Sequence, residues 1–205
     1  MTELQAGWYR YTSEWRFAND GTIRPRFGFG ATDNSCVCFD HVHHVYWRLD
    51  FDIAQSNNRV YQVERGRKFL KPITNEMFTN KNNGTNKSLL IQNSTGDEAY
   101  MLVPNIFDGV VDTFGVHDMW VLAFKGTAGA PTELEDGITC VTCQTAFIQI
   151  DPFLNNESVV NQDVVVWYGS HFLHNDGANL HNPNLSPQVL SGDHVVGPDI
   201  RPVRW

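Results

Sequence analysis

Apolar and polar residues alternate with a period of two through most of the patterned segments of this chain, and those segments are rich in Val, Ile, Thr and aromatic side chains. Successive side chains of a strand point to opposite faces, so this pattern suits half-buried strands and offers a helix no continuous apolar stripe. Turn residues separate the runs. One pair spans residues 8–17 and 22–29, joined through Asn19-Asp20-Gly21, whose Asp-Gly step supplies the positive φ of a tight hairpin. Further strands are expected at about 41–53, around Val60, and at 88–92, 100–103, 119–124, 147–150 and 164–168. The stretches 79–87 and 175–187, rich in Asn, Gly and Pro, read as loops, and the basic cluster at 65–71 reads as a solvated hairpin edge. At 205 residues the chain is expected to be a single domain, 1–205. So many strands in one unit predict an all-β fold, a large antiparallel β-sandwich.

Composition narrows the function classes. A net charge of -8 argues against a nucleic-acid binder, which needs a basic face to neutralise phosphates. Apolar runs such as Val164-Val165-Val166-Trp167-Tyr168 fall far short of the roughly 20 residues of a membrane helix, so no membrane span is expected. The opening Met1-Thr2-Glu3-Leu4-Gln5 lacks the basic and apolar regions of a signal peptide. Glycosylation sequons at Asn83, Asn86, Asn93 and Asn156 would nonetheless permit a secreted origin. Cys36 and Cys38, with Cys140 and Cys143, suit either a four-thiolate zinc knot or cross-paired disulfides, and their spacing leaves both open.

Two constellations could carry chemistry. In His41-Val42-His43-His44, strand geometry puts His41 and His43 on one face and His44 on the other. Paired imidazoles clamp a transition metal; the alternative is a solvated or hydrogen-bonded histidine cluster. A third ligand would come from His171 or His174, while His117, His181 and His194 read as structural. In Arg48-Leu49-Asp50-Phe51-Asp52, two carboxylates share a face, a repulsive arrangement unless a hard cation such as calcium, or Arg48 or a lysine, offsets it.

Taken in order, Trp8-Tyr9-Arg10-Tyr11, Trp15-Arg16-Phe17, Asp20-Gly21-Thr22-Ile23, His41-x-His43 and Arg48-Leu49-Asp50-Phe51-Asp52 form a pattern. It continues through Asn93-x-x-Gly96-x-x-x-Tyr100-x-Leu102-x-Pro104, His117-Asp118-Met119-Trp120-Val121, the run from Asn156 to Tyr168, and Ile200-Arg201-Pro202. The whole resembles the C-terminal catalytic domain of the copper amine oxidases.

That resemblance implies copper, held by His41, His43 and, through the Phe172 that follows it, His171; by distance from Trp167 the third ligand would be His174 instead. It implies topaquinone formed from Tyr9, with Tyr11 completing the cofactor motif, although Trp8 stands where the family has Asn and Arg10 where it has an acid. Tyr9 and Tyr11 should share a strand face turned toward the copper. A calcium-like ion on Asp50, Asp52 and Asp163 is implied as well, together with a homodimer and a secreted or extracellular location. The implied activity is oxidation of a primary amine by O2 to aldehyde, ammonia and hydrogen peroxide. The family's catalytic base, an Asp well upstream of the quinone tyrosine, has no counterpart here, so it would come from another chain or a missing N-terminal segment. The alternative is a copper-binding or structural β-sandwich without quinone chemistry.

Overall fold

The computed structural model describes residues 1–6, 9–31, 41–66, 68–109, 117–124, 150–174 and 194–203. Among them there are thirteen strands and a single 3-10 turn, Asp151–Phe153, and no helix long and apolar enough to cross a membrane. The strands are β1 (Thr2–Ala6), β2 (Tyr9–Phe17), β3 (Ile23–Ala31), β4 (His41–Phe51), β5 (Asn58–Glu64), β6 (Phe69–Ile73) and β7 (Met77–Thr79). They continue with β8 (Ser88–Asn93), β9 (Ala99–Val103), β10 (Met119–Ala123), β11 (Val164–His174), β12 (His194–Val196) and β13 (Asp199–Val203).

Nine strands form one sheet in the order β1-β2-β3-β13-β9-β8-β5-β6, with β12 also pairing β3, and four form a second in the order β4-β11-β10-β7. The pairings between named strands are antiparallel. Phe29, Val60, Leu89, Ile91 and Leu102 of the first sheet pack against Trp47, Leu49, Val166 and Tyr168 of the second, which makes the sandwich core. Alternation puts the intervening Val165 and Trp167 on the opposite face of the second sheet, where they join Trp120, Leu122 and Ile150. This sheet is therefore covered on both sides, which explains why Val164-Val165-Val166-Trp167-Tyr168 is apolar throughout instead of alternating.

The expected hairpin is present. Phe17 pairs Ile23, the amide of Gly21 donates to the Ala18 carbonyl at 3.0 Å, and Gly21 has φ +82°. The expected strand at 164–168 runs on to His174, paired along its whole length with β4. Gly169, Ser170 and His171 interrupt its apolar run without interrupting its hydrogen bonds, because β4 pairs along it and the Asp118 and Asp108 carbonyls accept the Gly169 and His171 amides. Gly109 seats against β11 so closely that a Cβ would meet the His171 carbonyl oxygen at 1.5 Å. Strands β1, β7, β12 and β13 were not expected. β1 and β6 lie on the two edges of the large sheet, and β1 is exposed along Thr2 to Gln5, so they lack the apolar alternation that marks a buried face. The basic cluster at 65–71 leads into β6, the hairpin edge it was expected to be. The expected strand at 147–150 falls outside the described residues except for Ile150, as do Cys36, Cys38, Cys140, Cys143 and the loop at 175–187.

Candidate metal centre

Tyr9 opens β2 and faces the core in register with Ala31 of β3. Its ring stacks on Tyr11 at 5.8 Å between centroids and meets the His43 ring at 5.3 Å with the planes at 81°. His43 in turn lies 4.2 Å from the Phe29 ring. The expected shared face of Tyr9 and Tyr11 is thus observed, and it is turned toward the histidine-bearing strand. Burial raises the phenol pKa of Tyr9 above its ordinary value, Tyr11 adding to the effect, and burial does the same for Tyr11. Trp8, which flanks this site in sequence, lies outside the described residues.

The β4–β11 register decides how the histidines meet. It pairs His44 with His171, His43 with Phe172, and His41 with His174. Paired residues share a face, so backbone positions 41, 43 and 174 lie on the core side and 44 and 171 on the other. The side chains of His41 and His174 are outside the described set. His171 is buried against His44, Nδ1 to Nδ1 at 2.7 Å, and its Nε2 is 3.3 Å from Asp118 Oδ1. The structure brings His171 to His44, on the face opposite the one that carries His43. The reason is the strand period, since an odd residue of β11 in this register cannot share a face with an odd residue of β4.

Behind His171 lies a buried polar chain that the sequence does not announce. Asp118 accepts the Lys81 amide at 2.7 Å and faces the Lys81 ammonium at 3.4 Å, with both side chains inaccessible to solvent. Lys81 Nζ also donates to the carbonyls of Asp108 and Gly169 at 3.0 and 2.8 Å. Burial pushes the Lys81 ammonium pKa down, and the charges of Asp118 and Asp108 only partly offset this. Tyr168 donates its hydroxyl to Asp108 at 2.7 Å; burial raises the Asp108 carboxyl and carries the Tyr168 phenol well above its ordinary range. Asp118 adjoins one histidine in sequence, but nothing local says that a lysine 37 residues earlier meets it.

Asp50, Asp52 and Asp163 converge as expected, with one carboxylate oxygen from each lying within 4.8 Å of the others. Asp50 and Asp52 alternate along and just past β4, and Asp163 immediately precedes Val164, which pairs Phe51. Arg48 Nη1 approaches Asp50 at 3.5 Å. A cleft of about 920 Å³ carries Asp50 and Asp52 on its wall beside Trp15, Phe17 and Tyr100, so solvent ions can reach them.

No protein-family model and no curated protein sequence matches the chain. Solved structures do. A lysyl oxidase from Pichia pastoris superposes with a TM-score of 0.69 at 17% identity, over 98% of this chain and 34% of that one. A copper-containing benzylamine oxidase from Hansenula polymorpha gives 0.64 at 13% identity, over 98% and 38%, and an Aspergillus nidulans amine oxidase gives 0.64 at 17%, over 98% and 33%. The fold is that of the copper amine oxidases. The chain spans about a third of the length of the structures it matches. His43 offers an imidazole on the face it shares with Tyr9, and the register places backbone positions 41 and 174 on that side. A transition metal fits this nitrogen donor set better than a hard cation does.

Proposed function

We propose that this chain is a copper-binding, amine-oxidase-like oxidoreductase unit whose redox centre is Tyr9 beside a copper site made by His41, His43 and His174. The observation that carries the reading is the packing of the Tyr9 ring on His43. Copper with a quinone derived from Tyr9 would supply oxidation of a primary amine by O2 and water to aldehyde, ammonia and hydrogen peroxide. The chain's own residues do the rest. Phe29 and Tyr11 hold the His43 and Tyr9 rings between them, and partial burial raises the Tyr9 phenol pKa above its ordinary value. No residue of the chain is assigned as the base that removes the amine's α-proton, and its lack lowers turnover by roughly 10²–10⁴ unless another segment or chain provides it. A second copy of the chain is the proposed partner, and Asp50, Asp52 and Asp163 are the proposed calcium site.

Aerobic copper loading followed by phenylhydrazine tests the reading. A coloured adduct mapped to the Tyr9 peptide, absent from Tyr9→Phe, is the expected result. Stoichiometric copper with unmodified Tyr9 would favour instead a copper-binding sandwich without quinone chemistry, a reading that Arg10 supports by forming an exposed ion pair with Glu3 where the family has an acid.

A further inference from the structure

His44 and His171 stand directly opposite each other across β4 and β11. Their Nδ1 atoms are 2.7 Å apart, with ring planes at 72°. A neutral imidazole carries one N–H and one lone pair, and the surroundings of its far nitrogen decide which end is which. For His171 that far nitrogen, Nε2, lies 3.1 Å from the His117 carbonyl oxygen and 3.3 Å from Asp118 Oδ1, and both are acceptors. The proton of His171 therefore sits on Nε2, and the Nδ1 lone pair is turned toward His44.

This arrangement is built, not incidental. The side chains of His171, Asp118 and Lys81 are all inaccessible to solvent, and Asp118 is fixed by the Lys81 amide and ammonium. A carboxylate and a carbonyl that set the tautomer and the plane of a buried imidazole are the support found behind histidines that ligate metals. His44 is only half-buried, which gives an ion a way in from solvent.

We propose that His44 Nδ1 and His171 Nδ1 form a second transition-metal site, binding a divalent first-row cation on the face of the four-stranded sheet opposite His43, with solvent completing the shell. Imidazole nitrogen selects such an ion over calcium or magnesium. Tetrahedral bonds of about 2.0–2.1 Å place two nitrogens about 3.3 Å apart, so the rings open by about 0.6 Å, and the half-buried His44 is the one that moves. Metal binding at His44 Nδ1 displaces the proton held between the two Nδ1 atoms while His44 takes one up at Nε2, so the neutral ring changes tautomer with no net proton released. The site uses none of His41, His43 or His174 and does not depend on the amine-oxidase reading.

Stoichiometric titration of the intact protein with Zn²⁺ against a chromophoric chelator, repeated on variants, tests it. His44→Ala should bind one equivalent fewer than the parent chain, and His171→Ala likewise. His43→Ala should also lose one equivalent, and His43→Ala combined with His44→Ala should lose two. Should His171→Ala fail to fold for want of a partner to Asp118, the exposed-side variants His44→Ala and His44→Phe carry the comparison alone. An unchanged stoichiometry in His44→Ala overturns the proposal and leaves the pair a hydrogen bond. Loss in His44→Ala with none in His43→Ala keeps this site and sinks the copper site instead.

Discussion

The His43 ring is held between Phe29, 4.2 Å away, and Tyr9, 5.3 Å away and nearly perpendicular to it. Phe29 is 1% exposed, so it is both a core side chain and the wall that fixes the imidazole. Phe29→Ala should cost about 3–5 kcal/mol in stability through the lost burial and the cavity it leaves. It should also weaken copper binding at His43 well beyond the effect of an equally buried change remote from the metal, such as Leu89→Ala. Denaturant titration and copper titration of the two variants, side by side, check both halves.

Asp118 and Lys81 form a buried ion pair, and the neighbouring carbonyls complete the lysine's hydrogen bonds. Removing one partner leaves an uncompensated charge in the interior. Asp118→Ala should therefore lose about 3–5 kcal/mol, while Asp118→Leu combined with Lys81→Met should be much less costly than the sum of the single changes. Equilibrium unfolding of the four chains gives the coupling energy directly.

Asp199 gathers Arg26, Arg24 and Arg201, with Arg24 Nε at 3.3 Å and Arg201 Nη2 at 2.8 Å. Desolvation pushes its carboxyl pKa up, but hydrogen bonds from Arg26 and Arg201 outweigh this and hold it below the ordinary carboxylate value of 3.8. A depressed folded-state pKa contributes stability that is complete above the unfolded value and is lost as pH falls through the folded one. Asp199→Asn should thus be less stable than the parent at pH 7, with the gap closing only below about pH 4. A constant gap down to pH 2 in acid-unfolding curves would contradict this.

Three carboxylates whose oxygens lie within 4.8 Å should respond to calcium. Ca²⁺ at 100 times its dissociation constant should stabilise the fold by about 2.7 kcal/mol, seen as a rise in melting temperature. Asp163→Asn should remove most of that rise, because it takes away the one ligand contributed from the residue preceding β11. An equal rise in the variant would place the calcium elsewhere.

The strand content and the central hairpin were legible because period two is a local property: Asp20-Gly21 and the alternation of β4 are written within a dozen residues. So was the separation of His43 from His44, since neighbours in a strand always face opposite ways. The pairing of Asp50 with Asp52 followed from the same rule. What a local pattern cannot carry is the offset between two strands 113 residues apart in their first paired positions, Phe51 with Val164. That offset is set when both faces of β11 find buried partners, Val166 and Tyr168 on one side and Val165 and Trp167 on the other, and a slip of one residue would exchange the two sets. With it fixed, His171 goes to His44, position 174 goes to His41, and Asp163 reaches Asp50 at the end of β4 and Asp52 just past it. The sequence by itself determined which residues can be ligands and which strand face each occupies, because chemistry and alternation are local. Only the tertiary structure decided which histidines meet, because register is chosen by the packing of the entire sheet.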